Sequence, residues 1–128
     1  AQQNQQKGVI KGAIWHQGEG DSSKPELYNS YQKRLSGMIV DLRKDLNEPN
    51  MPFVMGELGE FFTRPGAGTV NQALHGIAQS IPGTAVASSK GLQAKSDQVH
   101  FNAAAEKEFG KRYAEQMLKL QKQPAGKK

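Results

Sequence analysis

Val9-Ile10-Lys11-Gly12-Ala13-Ile14-Trp15 is a short apolar run that opens into a polar loop from His16 to Lys24, and the segment behind that loop decides the fold class. There Leu27, Tyr31, Leu35, Met38, Leu42 and Leu46 recur three or four residues apart, the spacing that lines one face of a helix. Ser23 with Glu26 reads as a capping box, Pro25 suits a first helical turn, and Asn47 to Pro49 stops the segment. Strand, loop and long helix in that order make the first unit of a parallel α/β sheet.

The same unit then recurs. Pro52-Phe53-Val54-Met55-Gly56 is apolar on both faces, as a strand covered by helices on each side must be. A loop from Glu57 to Gly68 leads to a stripe of Val70, Leu74, Ile77 and Ile81, with Thr69 and Gln72 as a second capping box and Pro82-Gly83 as the stop. Thr84-Ala85-Val86-Ala87 is the third strand, and after the loop from Ser88 to Phe101, Asn102 caps a last helix with Ala105, Phe109, Tyr113, Met117 and Leu120 on its inner face. The pattern predicts parallel strands joined by right-handed helical crossovers. In open parallel sheets the ligand crevice lies beyond the carboxyl ends of the strands, where the three loops would meet.

Composition narrows the chemistry. At 128 residues the chain holds one domain at most and is small for a complete α/β enzyme. With 36% hydrophobic and 23% charged residues it falls in the globular range. The absence of Cys excludes disulfides, thiolate catalysis and thiolate metal sites, and the three His are too scattered for a metal constellation. No apolar stretch approaches the roughly 20 residues of a membrane-crossing helix, so no membrane partner is expected. The net charge of +5 is concentrated at the end, where Lys111, Arg112, Lys119, Lys122, Lys127 and Lys128 face only Glu115. Without interleaved aromatic residues this reads as a solvated basic tail over residues 124–128, and nucleic acid is not expected as a partner. The opening Ala1 and the Gln-rich run behind it read as the middle of a longer protein.

Two loops hold polar groups of the kind a hydrolase needs. Trp15-His16-Gln17-Gly18-Glu19-Gly20-Asp21-Ser22 places an amide, two carboxylates and an imidazole at the end of the first strand. Asp97-Gln98-Val99-His100-Phe101 sets a carboxylate three residues before a His, close enough on a turn to fix the ring's tautomer and leave its other nitrogen as a base. Asp-x-x-His alone is a weak signal, better served by an exposed ion pair than by catalysis. Trp-His-Gln-Gly-Glu is far more specific.

That block resembles the one in the SGNH hydrolases of carbohydrate-esterase family six and the sialate O-acetylesterase-like branch. The resemblance extends through Ile10-Lys11-Gly12, Gly56-Glu57-Leu58-Gly59, Val99-His100-Phe101-Asn102 and Gly110-Lys111-Arg112-Tyr113-Ala114, and covers nearly everything from Ala1 to Met117. It implies a flavodoxin-like, three-layer parallel sheet of which residues 1–123 form the carboxyl-terminal portion, with about three strands and three helices. It also implies removal of acetyl groups from carbohydrates without metal or organic cofactor, in a secreted or periplasmic setting. By position His100 would be the general base and Gln17 the oxyanion donor, a contribution of about 3 kcal/mol to transition-state stabilisation. Asp97 and Glu19 compete to orient the His; the family's Gln-Gly-Glu block often supplies the acid, which favours Glu19 slightly. Arg64, Glu57 and Trp15 are candidates for the sugar, with Phe61 and Phe62 beside them.

The family's nucleophilic Ser belongs to a Gly-Asp-Ser motif on the sheet's first strand, upstream of the blocks found in this chain. Gly20-Asp21-Ser22 matches it literally, but only 77 residues separate Ser22 from His100, too few for a five-stranded layout, and Ser22 reads as a loop residue. The expectation is a segment inactive alone, completed by an amino-terminal segment or second chain carrying the Ser, with homo-oligomerisation through its open sheet edge possible. The alternative is a non-enzymatic remnant that binds carbohydrate or a partner.

Overall fold

The computed structural model describes residues 8–123; the basic tail at 124–128 and the Gln-rich opening lie outside them. Three parallel strands, β1 (Ala13–Trp15), β2 (Phe53–Gly56) and β3 (Thr84–Ala87), form one sheet in the order β1-β2-β3. Between and after them run α1 (Pro25–Asp45), α2 (Ala67–Ser80) and α3 (Ala103–Lys122), with a 3-10 turn at Asp21–Ser23. Ala13 pairs with Phe53 and Phe53 with Thr84, so the strands begin in step and their carboxyl ends share one edge.

The alternation of β2 sorts the layers. Phe53 and Met55 enter a core with Tyr31, Leu35 and Ile39 of α1 and Val70, Leu74 and Ile77 of α2. Val54 faces the opposite side, where Ala105 and Phe109 of α3 are buried with it and Tyr113 and Met117 pack on them. This is the three-layer α/β arrangement of a partial flavodoxin-like sheet. On β1, Ala13 and Trp15 pack on the α1–α2 side, while Ile14 is 68% exposed. Among the described residues, no strand pairs with the outer edge of β1 and nothing covers Ile14 on its α3 side.

Several local expectations change. The first strand begins at Ala13 instead of Val9, because Pro52 opposite it lacks the N–H needed to extend the ladder and Val9 stands out in solvent. The capping box at Ser23 and Glu26 does not form. Ser23 spends its hydroxyl on the Gly20 carbonyl (2.7 Å) inside the 3-10 turn, and Lys24 occupies the N-cap. Thr69 caps nothing, since α2 starts two residues earlier at Ala67, behind a Gly66 packed against the Tyr28 ring. Asn102 does cap α3, accepting the Ala105 N–H at 2.9 Å.

The buried stripe of α1 is also rotated, with Tyr31, Leu35, Ile39 and Arg43 inside and Met38, Leu42 and Leu46 at its flank. Arg43 is accommodated because its guanidinium donates to the carbonyls of Met51 (2.8 Å) and Gly83 (3.1 Å), tying α1 to the chain ahead of β2 and β3.

Candidate functional site

The loop leaving β1 is fixed by hydrogen bonds to its own neighbours and to α1. Gly18 runs at φ +149° against α2, where a side chain would stand 2.7 Å from Val70 Cγ1. Behind it Ser22 is fully buried and donates to the Gly18 carbonyl at 2.7 Å. Gln17 is held at both ends: its carbonyl accepts from the Tyr31 hydroxyl (2.7 Å) and its side-chain nitrogen donates to Asp21 Oδ2 (2.6 Å). Trp15 is half-buried, with its indole N–H 3.4 Å from the same Tyr31 hydroxyl.

The loop leaving β3 is pinned before it reaches His100. Ser89 N–H donates to Glu57 Oε2 (2.8 Å), Gly91 N–H to Glu60 Oε2 (3.0 Å), and Arg112 of α3 donates to the carbonyls of Ser88 and Lys90 (2.9 Å each). Farther on, Lys95 N–H bonds the His100 carbonyl (2.7 Å) and Asn102 N–H the Gln93 carbonyl (3.0 Å), closing a hairpin-like lobe. At its tip Gln98 turns with φ +56° and Asp97 chelates the backbone. Asp97 Oδ1 accepts the N–H groups of Val99 and His100 at 2.9 Å, and Oδ2 lies 2.7 Å from His100 Nδ1.

These bonds, first that from the His100 backbone, then from its ring and from Val99, hold the Asp97 carboxyl well below the usual carboxylate range. An ionised carboxylate accepts only, so Nδ1 carries the ring proton of a neutral His100 and Nε2 is left basic.

One aromatic cluster brings the three loops together. The His16 ring packs edge-on to Phe101 with centroids 5.6 Å apart and to Phe109 at 5.5 Å, and Phe61 meets Phe101 at 5.0 Å. Gln17 and His100 are thus the chain neighbours of two rings in contact. Glu19 lies 3.9 Å from His16 Nδ1, whereas the carboxylate on the His100 ring is that of Asp97, which the turn brings there locally.

The other candidates are distributed differently. Arg64 is exposed, its guanidinium 5.8 Å from the Phe62 ring centre, and Phe62 itself belongs to the core. Glu57 has both carboxylate oxygens engaged, Oε1 with His75 Nε2 (2.7 Å) and Oε2 with Ser89. His75 on α2 is exposed and reaches Glu57 from there. Burial pushes the Glu57 carboxyl up, but the bonds from His75, Ser89 and Ser88 outweigh it and leave it below its ordinary value.

Sequence reading missed Asp21 as the partner of Gln17, and Tyr31, which it placed on an apolar stripe; in neither case does periodicity or spacing show the bond. Ile14, Trp15, His16, Phe109, Tyr113 and Met117 border a groove of about 460 Å³ along the open side of β1. Among the described residues no three His, Asp or Glu converge as a metal site, and no helix is long and apolar enough to cross a membrane.

Residues 1–119 match the family model described as carbohydrate esterase, sialic acid-specific acetylesterase. A curated protein of Arabidopsis thaliana, named as a probable carbohydrate esterase, is 28% identical over 112 residues, which is 87% of this chain and 41% of that protein. The X-ray structure of a protein from Arabidopsis thaliana superposes with a TM-score of 0.82 at 26% identity, covering 91% of this chain and 48% of the other. Both comparisons concern the same Arabidopsis protein, and the chain spans less than half of its length.

Proposed function

The chain belongs to the carbohydrate esterase family of sialic acid-specific acetylesterases, and from that premise we propose that it is the carboxyl-terminal portion of an SGNH-type enzyme that hydrolyses O-acetyl esters on sugars. One observation carries the reading: an imidazole oriented by Asp97 stands on a lobe whose Phe101 packs against His16, the neighbour of Gln17. Base, orienting acid and amide donor are thus supplied by two loops in contact at one edge of the sheet.

In this reading a Ser hydroxyl from outside the chain attacks the acetyl carbonyl carbon while His100 Nε2 takes its proton. The carbonyl π electrons move to oxygen, where the Gln17 amide donates to the developing charge. Collapse breaks the ester C–O bond, and the sugar oxygen leaves with the proton from His100. Water, deprotonated by His100, then attacks the acetyl-Ser; acetate departs and the Ser oxygen recovers the proton. Each step balances with side chains and water alone.

The edge of β1, unpaired among the described residues, and its apolar groove support the idea that the Ser-bearing segment seats there, and so does the greater length of the Arabidopsis relative. Trp15 and Arg64 are the proposed sugar contacts, while Glu57 acts by holding the loops. A secreted or periplasmic setting is proposed from the resemblance.

The test is hydrolysis of a chromogenic acetyl ester and of an O-acetylated sugar, by the 128-residue chain alone and in the presence of the Ser-bearing segment. Turnover only in the second case, lost with His100→Ala, is the expected result. Full turnover by the chain alone, or turnover indifferent to His100, would overturn the reading.

A further inference from the structure

The geometry around the first loop points to Asp21, anchored by Arg34, as the positioning residue that aims the side-chain amide of Gln17. The inference rests on the reading of Gln17 as an oxyanion donor and adds what fixes that donor's direction.

A glutamine amide is nearly symmetric in shape but not in chemistry: one end donates twice and the other only accepts. Left alone, it would spend part of its time presenting oxygen to a developing anion, which repels it. Asp21 removes that freedom. Its Oδ2 lies 2.6 Å from Gln17 Nε2, and a carboxylate takes only the nitrogen end. One N–H is thereby consumed, and the second N–H of the same nitrogen is held in the amide plane, directed away from Asp21.

Asp21 is itself secured. Its other oxygen is bonded to Arg34, whose guanidinium also donates to the Leu27 carbonyl (2.9 Å) and the Ser30 hydroxyl (3.1 Å), so the carboxylate is tied to the body of α1. The Asp21 side chain is only 14% exposed. Burial favours its neutral form, but the bonds from Gln17 and Arg34 prevail and keep the carboxyl below its usual value.

The backbone end of Gln17 is held from the same helix face, since Tyr31, three residues before Arg34, donates to its carbonyl at 2.7 Å. One turn of α1 thus holds both ends of the residue. Donors contribute most to a developing charge when they are aimed before it forms.

The experiment has two arms. In the 15N-labelled chain of 128 residues, the Gln17 side-chain NH2 should exchange with water at least about tenfold more slowly than that of the exposed Gln72, through the bond to Asp21. That protection should disappear in Asp21→Ala and weaken in Asp21→Asn. Exchange of Gln17 as fast as Gln72 in the unsubstituted chain overturns the lock without reliance on any variant's folding.

In the second arm, with the Ser-bearing segment supplied, Asp21→Ala should lower kcat about tenfold with KM little changed, and Gln17→Ala should lower it about 10²–10³-fold. The double variant should be no worse than Gln17→Ala, because Asp21 acts through Gln17. An unchanged kcat in Asp21→Ala, or losses that multiply, would overturn the positioning role. Full kcat in Gln17→Ala would instead overturn the oxyanion reading, leaving amide exchange to decide the lock.

Discussion

Asp97 grips His100 twice, accepting its backbone N–H on Oδ1 and facing its ring Nδ1 with Oδ2 at 2.7 Å. Both bonds close within four residues, so the orientation of the imidazole is set by the turn itself. A ring so fixed differs from one held by a distant acid: the pair persists wherever the lobe folds.

Replacing Asp97 by Asn tests that relationship. An amide can donate to Nδ1 and so stabilise the wrong tautomer, leaving Nε2 protonated. In the active assembly kcat should fall roughly 10⁴-fold, as in serine hydrolases that lose the orienting carboxylate, while the circular dichroism of the chain stays unchanged. Glu19→Gln, whose carboxylate faces His16, should have a much smaller effect on kcat.

Ser22→Ala should leave ester turnover largely intact. The hydroxyl is fully buried and already donates to the Gly18 carbonyl. Its loss should appear in urea unfolding as about 1 kcal/mol of stability, the usual net worth of such a bond. A null kcat in a folded Ser22→Ala protein would place the nucleophile inside this chain.

Gly56→Ala should destabilise the sheet. A methyl group there would stand 2.8 Å from the Phe109 ring and collide with the Tyr113 hydroxyl, whose proton goes to the Trp15 carbonyl at 2.7 Å. Displacing α3 to make room should cost about 1–3 kcal/mol, measured as a lower midpoint in chemical denaturation. Because Tyr113 borders the groove beside β1, the same change should weaken association with the Ser-bearing segment.

Acid should destabilise the fold partly through Glu57. Its folded-state value lies below the ordinary one, so its contribution is fully present above the unfolded value of about 4.3 and disappears as pH falls through the lower folded value. Melting temperature should therefore decline as pH drops below about 4. Glu57→Gln should make that decline shallower, the remainder coming from Asp21 and Asp97, whose values are shifted in the same direction. An identical pH profile in the variant would show that the bonds to His75 and Ser89 do not stabilise the carboxylate.

Some elements could be read directly because their causes are local. The stripe at Val70, Leu74 and Ile77 and the Asn102 cap depend on residues within a few positions, and both appear as expected. The Asp97–His100 bond belongs to the same class, since the turn closes it within four residues. Arg43 marks the limit: its place on the inner face of α1 depends on carbonyls outside the helix, at Met51 and at the distant Gly83, that accept from it. Glu57 marks it too, since its bonds to His75 and Ser89 join residues 18 and 32 positions away.

By itself, then, the sequence determined the order of strands and helices, the edge at which the loops collect and the motif that assigns the family. These follow from periodicity, turn chemistry and residue identity along a short stretch of chain. Tertiary structure alone decided that His16, Phe61 and Phe101 join the three loops, that Gln17 is held by Asp21 and Tyr31, and that Ile14 of β1 is exposed among the described residues. Hydrogen bonds and ring contacts form between whatever groups folding brings within a few ångströms, and those neighbours are chosen by the packing of whole helices on the sheet.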